Sequence, residues 1–147
     1  MDENRVTLEW LILADSAEIV GGKLYMLGGG WKIFYVPEFP AQARFKLALA
    51  FQVPWTMTNQ HHDFELELVD QDGQRLIGLN ATFEVGRPVG LPAGHTQRFP
   101  AVLGMGGTFP KAGTYVIIVR GADGEYGRTS FDLIRNPVTP PVLPGRR

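Results

Sequence analysis

The histidines are the residues best suited to acid–base or metal chemistry, but their spacing does not favour a shared site. His61 and His62 are adjacent and begin a segment of alternating apolar residues that predicts a strand. Neighbouring side chains of a strand point to opposite faces, so these two would not readily chelate one ion. His95 lies in a loop rich in proline and glycine, and a zinc site would need all three to converge. We favour solvated loop histidines and rank a histidine-dependent metalloenzyme last.

Acidic residues in two predicted turns could supply the oxygen ligands that calcium prefers. Asp70 and Asp72 lie in one turn, and Asp123 and Glu125 lie in another. An aspartate before glycine is also ordinary turn chemistry, and the ladder of acids that forms an EF-hand is missing. We favour the turn interpretation and keep calcium as an alternative ligand.

The remaining motifs give no catalytic group. Glycine-rich segments at 28–30 and 104–107 lack the spacing of nucleotide-binding loops and precede no helical pattern, so a bulge or kink fits them better. No nucleophile elbow surrounds Ser16 or Ser130. The sequence has no cysteine, which removes disulfides, thiolate metal sites and a cysteine nucleophile. We predict that the protein is not an enzyme and has no metal and no cofactor.

Aromatic residues are concentrated in the first half of the chain and could form a stacking surface. We predict that Trp31, Tyr35 and Trp55 belong to an interaction surface, although filling the core is the commoner use of such side chains. Pro140 and Pro141 are the other predicted members of this surface. They lie in a proline-rich segment that, taken alone, would form a polyproline-like arm.

The elements that must position these residues are predicted to be β-strands. From 44 to 53 and from 63 to 69 every second residue is apolar, which is typical of half-buried strands. The pairs Gly21-Gly22, Asp72-Gly73 and Asp123-Gly124 predict three hairpin turns. No segment of ten or more residues shows an apolar stripe at helical spacing. We predict about nine strands in a two-sheet antiparallel β-sandwich, of jelly-roll or immunoglobulin-like type.

One segment near the amino terminus is predicted to be a central strand. It runs from 6 to 13, with Val6, Leu8, Trp10 and Ile12 on one face and further apolar residues on the other. Shorter or weaker strands are predicted at 18–20, 23–27, 31–36, 75–77, 81–85, 99–104, 114–120 and 129–134.

Length and charge limit the organisation and the partners. A chain of 147 residues predicts one domain, which we place at 1–135, followed by a proline-rich tail at 136–147. The net charge of −1 offers no positive field for nucleic acid or an anionic membrane. The acidic start resembles no signal peptide, and no apolar run could cross a bilayer as a helix. We predict a cytoplasmic protein without nucleic-acid or membrane partners.

Several blocks of the sequence resemble a family of uncharacterised bacterial, mainly actinobacterial, β-rich proteins. The most specific block is Gly22-Lys23-Leu24-Tyr25 followed by Leu27-Gly28-Gly29-Gly30-Trp31. Others are Val53-Pro54-Trp55 with Asn59, Phe83-Glu84-Val85-Gly86-Arg87-Pro88, Gly90-Leu91-Pro92, and Pro110 with Gly113 and Tyr115. The resemblance covers most of the chain apart from the tail, and it implies no activity, cofactor or catalytic residue.

The leading hypothesis is a non-enzymatic β-sandwich module for protein binding or self-assembly. Such a module would use a sheet face, an edge strand or the tail, because edge strands are ready sites for pairing. The alternative is a sandwich that binds a small ligand, either a sugar or calcium. The histidine-dependent enzyme is the third hypothesis.

Overall fold

A computed structural model describes residues 4–136, so Pro140 and Pro141 lie outside the described residues. This part of the chain contains nine strands and one short 3₁₀ helix, which confirms the all-β prediction. The strands are β1 (Thr7–Val20), β2 (Lys23–Gly29), β3 (Ile33–Val36), β4 (Ala41–Val53), β5 (His61–Val69), β6 (Arg75–Glu84), β7 (Gln97–Phe109), β8 (Gly113–Gly121) and β9 (Gly124–Arg135); the helix is Trp55–Met57.

The strands form two sheets. One sheet has four strands in the order β2-β1-β4-β7, and the other has five in the order β3-β9-β8-β5-β6 and is curled into a half-barrel. Every pair is antiparallel except β3 with β9, which run parallel. The prediction of purely antiparallel pairing is wrong at this edge. Strand β3 enters the second sheet by a crossing from the first, so no hairpin sets its direction. A sandwich of jelly-roll or immunoglobulin-like type stays a prediction.

The three predicted hairpin turns are confirmed. Gly21 and Gly22 join β1 to β2 with φ angles of 58° and 76°, which is the left-handed backbone that a two-residue hairpin turn requires. In the β5–β6 turn the carboxylate of Asp70 accepts hydrogen bonds from the backbone N–H groups of Asp72 and Gln74, both at 2.9 Å. The third turn joins β8 to β9 at 122–123.

Several strands are longer than the sequence predicts. The separate segments predicted at 75–77 and 81–85 form the single strand β6, and β7 continues through Pro100 and the glycines at 104, 106 and 107. Both strands lie at sheet edges, where a proline without an N–H group and weak strand formers are tolerated. Pairing with a strong neighbouring strand therefore overrides weak local propensity.

A β-bulge in β1 changes which side chains face the core. The pairing of β1 with β4 shifts register between Leu8 and Trp10, and one extra residue moves the following side chains to the other face. Leu8 before the bulge and Leu11 and Leu13 after it contact the core. Trp10 lies on the outer face, with the Arg98 guanidinium 4.9 Å from its ring centre. The prediction that Val6, Leu8, Trp10 and Ile12 share one face is therefore wrong, whereas the central position of β1 is confirmed.

The core lies between the two sheets and is rich in aromatic rings. Strand β4 pairs with β1 on one side and with β7 on the other, and its alternate apolar residues are buried. Phe45 packs edge-on against Phe131 of the second sheet, with ring centres 5.3 Å apart. Phe51 stacks on Phe83, with centres 4.8 Å apart and ring planes 13° from parallel. The inward face of β4 therefore holds the two sheets together.

Phe131 is the residue whose truncation tests this core. It contacts the rings of Trp31, Phe45, Phe109 and Tyr115. We expect Phe131→Ala to lower the free energy of unfolding by about 3–5 kcal/mol, because the cavity cannot close among rigid rings. Urea unfolding measures the change. Val89→Ala, at a fully exposed site, is the control; equal effects of the two substitutions would contradict the core described.

A second prediction concerns alkaline pH. Burial raises the pKa of Tyr115 above its ordinary value of about 10, and its hydroxyl donates to the Lys111 carbonyl oxygen at 2.5 Å. The folded state thus holds this proton more tightly than the unfolded state. The stabilising effect is complete below about pH 10 and is lost as the pH rises through the raised folded-state pKa. Urea unfolding should show a smaller alkaline loss for Tyr115→Phe than for the parent chain, and an identical loss would refute the prediction.

Candidate binding surface

The large apolar side chains that remain exposed are concentrated on one side of the molecule. Among the described residues eight are exposed, and six of them lie on the β1–β2 hairpin or on β3 and β9. We call these six residues the β2–β3 surface: Val20 (52% exposed), Tyr25 (52%), Leu27 (74%), Ile33 (43%), Tyr35 (58%) and Ile134 (37%). The other two, Leu79 and Val89, lie on β6 and in the following loop.

The topology explains why these residues share a side. Strands β2 and β3 are each the edge strand of their own sheet, and only residues 30–32 connect them. The end of β2 therefore lies near the start of β3. On β3, Ile33 and Tyr35 are alternate residues that share a face, and Tyr35 is paired with Ile134 of β9.

The β1–β2 hairpin extends beyond the rest of its sheet. Pairing of β1 with β4 ends at Ala14, whereas pairing of β1 with β2 continues to Val20. We call the two-stranded part, residues 15–28, the arm. One of its faces carries Ala17, Ile19, Leu24 and Met26, and none of these packs against the core cluster. The other carries Val20, Tyr25 and Leu27. A two-stranded ribbon with apolar residues on both faces is marginally stable alone in water.

The outer edge of β2 is also available for pairing. No strand lies beside it within residues 4–136. Natural edge strands are usually protected by charges, prolines or bulges. Strand β2 carries one charged residue, Lys23, and this residue adjoins the turn. The free backbone groups of β2 therefore lie beside the exposed apolar side chains.

The residues predicted to form an interaction surface lie in different places. Tyr35 belongs to the β2–β3 surface. The ring of Trp31 packs against Phe34, Phe45 and Phe131, with centres 5.3–5.8 Å apart.

Trp55 lies at the other end of β4. It follows Val53, whereas Trp31 packs beside Phe45, and eight strand residues span about 27 Å. Trp55 therefore does not share a surface with Trp31 and Tyr35.

The histidines and turn acids do not converge. His61 is exposed beside Glu84, while His62 is buried on the opposite face with its Nε2 2.7 Å from the Met57 carbonyl oxygen. His95 lies in the loop before β7. Within the described part of the chain, no three metal-ligating side chains of His, Asp or Glu are grouped.

The two acidic turns lie at opposite ends of β8. The pair Asp70 and Asp72 is near its first residue, and the pair Asp123 and Glu125 follows its last. Asp72 pairs with Lys111, and Glu125 pairs with Arg128, which lowers the pKa of that carboxyl group. No common calcium site unites these four carboxylates.

A polar clamp joins two sequence blocks beside the 3₁₀ helix. The guanidinium of Arg87 lies 3.8 Å from the ring centre of Trp55 and donates to the Trp55 carbonyl oxygen and to Thr58 Oγ1 at 2.8 and 2.7 Å. Asn59, at a φ of 59°, donates its N–H to the Val85 carbonyl oxygen at 2.7 Å. The sequence blocks at 53–59 and 83–88 therefore contact each other, and these contacts give both blocks a structural role.

A family model described as a family of unknown function, DUF6941, matches residues 9–134. The chain belongs to the DUF6941 family. This match confirms the resemblance to an uncharacterised family, and a bacterial origin stays a prediction. None of the curated proteins matches the sequence. The DUF6941 match includes the arm and β3, so the β2–β3 surface lies within the family region.

In the described residues of this DUF6941 chain, no helix has the length and apolar character needed to span a membrane.

The clamp gives a stability prediction for this DUF6941 domain. Arg87→Lys keeps the charge but removes the planar group that stacks and donates twice. We expect the free energy of unfolding to fall by about 1–2 kcal/mol in urea titrations. Arg135→Lys, at an exposed residue, is the matched control. If both substitutions have the same effect, Arg87 does not clamp the two blocks.

Proposed function

We propose that this protein is a non-enzymatic binding module that assembles with a second copy of itself through the β2–β3 surface. The observation that carries the proposal is the placement of six of the eight exposed large apolar residues on the β1–β2 hairpin, β3 and β9, with four of the six on the edge strands β2 and β3. Scattered surface apolar residues are normal, but a concentration on one side is typical of an interaction site.

The geometry of β2 supports pairing of edge to edge. Two copies of β2 can pair antiparallel around a two-fold axis that passes near Met26. This register sets Tyr25 of one copy opposite Leu27 of the other. The pairing would join two four-stranded sheets into one continuous sheet and would cover both arms.

Charge supports a second copy as the occupant. The chain has 14 basic and 15 acidic residues, so two copies repel each other little. An isologous contact needs only one self-complementary patch, and the arm supplies apolar groups together with free backbone donors and acceptors.

The proposal also covers the arrangement of the two sheets and the compartment in which the module acts. The two sheets pack as a β-sandwich. The module acts in the bacterial cytoplasm without nucleic acid, membrane or cofactor.

Association should depend on Leu27, the most exposed residue of the surface. We expect the parent chain to form dimers in sedimentation velocity experiments as its concentration rises. Leu27→Asp should weaken this association at least tenfold, since a carboxylate in an apolar contact costs more than about 1.4 kcal/mol.

Val89→Asp is the matched control, because Val89 is an exposed apolar residue outside the surface. It should leave the association unchanged. A parent chain that is monomeric at every concentration would overturn the proposal, and so would equal association of parent and Leu27→Asp.

A further inference from the structure

A groove of about 470 Å³ lies on the outer face of the four-stranded sheet. Two cations of β4, Arg44 and Lys46, line one side of it, and the glycine segment of β7 lines the other. These cations are alternate residues, so they share a face with Cα atoms about 7 Å apart. None of the six β2–β3 surface residues lines the groove, and the groove does not depend on the proposed function.

Glycines create the floor of this groove. Arg44 is paired with Gly106, and Lys46 is paired with Gly104. A Cβ atom at Gly106 would lie 3.1 Å from Cγ of Arg44, and one at Gly104 would lie 3.6 Å from Nζ of Lys46. Both long side chains therefore extend over the bare backbone of β7, so their charges lie above the floor.

The two cations differ from most others because they have no partner within residues 4–136. Neither Arg44 nor Lys46 makes an ion pair or a side-chain hydrogen bond there. Five other cations each pair with a carboxylate. Those paired cations are Arg75, Arg98, Lys111, Arg120 and Arg128. Two unpaired positive charges on one face repel each other, and a bound anion would relieve that repulsion.

The carboxylate of Asp15 also lines the groove, but its side chain packs over Gly28. Asp15 makes no ion pair with either cation, and its carboxylate lies where a Cβ atom on Gly28 would be. Gln42 lies at the far end of the groove, where its amide donates to Thr108 Oγ1 at 3.5 Å.

We propose that this groove binds the phosphate group of a small molecule. A guanidinium offers a planar fork that matches phosphate oxygens, and an ammonium beside it adds a mobile charge. The groove is large enough for a small ligand, and the glycine floor lets the anion approach the backbone.

The test measures binding of inorganic pyrophosphate to the full chain by isothermal titration calorimetry. We expect binding that weakens as potassium chloride is added, because the contact is electrostatic and exposed. The double substitution Arg44→Gln with Lys46→Met should reduce the affinity at least tenfold. Arg135→Gln, which removes an exposed cation of the other sheet, should leave it unchanged. Circular dichroism checks that each variant is folded.

A second arm distinguishes a free phosphate compound from a lipid headgroup. Sedimentation with phosphatidylcholine vesicles that contain phosphatidic acid should carry the chain down only if the headgroup is the source. If the parent chain binds neither pyrophosphate nor these vesicles, the proposal is overturned. It is equally overturned if the double variant binds as the parent does.

Discussion

Burial of the inward face of β4 is the constraint on which the rest of the structure depends. This strand pairs with β1 and β7, and its alternate side chains, including Phe45 and Phe51, pack against aromatic rings of the second sheet. A one-residue shift of register would turn this whole set toward water. The strict alternation therefore also fixes the outer face, where the same strand presents Arg44 and Lys46 above the glycines of β7.

The β2–β3 surface is what this core leaves uncovered. Strand β1 is longer than its pairing with β4, so the arm extends past the sheet and carries apolar residues that residues 4–136 leave partly exposed. The short crossing from β2 to β3 then brings the end of one edge strand near the start of the other. A domain whose core is complete without these residues has no internal use for them, which favours an intermolecular role.

The sequence predicts the alternating strands and the glycine turns well, because both depend on local chemistry. Strand β4 and the three hairpins follow directly from periodicity and from Gly21-Gly22 and its equivalents, whereas the segments predicted at 6–13 and 18–20 form the single strand β1. The bulge beside Trp10 and the parallel pairing of β3 depend on neighbours that are distant in sequence, so no local pattern shows them. Of the predicted surface residues, Tyr35 is exposed, whereas Trp31 is partly buried and packs against the core. Composition alone cannot tell an exposed aromatic ring from one that packs against the core. The consecutive apolar residues of β2, from Leu24 to Leu27, were the available signal for the arm.

Amide hydrogen exchange of β2 at increasing chain concentration tests the central claim most directly. Edge pairing between two copies predicts that the outward N–H groups of β2 become more protected as the concentration rises, while the central strand β4 is protected throughout. Exchange in β2 that is fast at every concentration, even where sedimentation detects a dimer, would show that the copies do not meet through this edge.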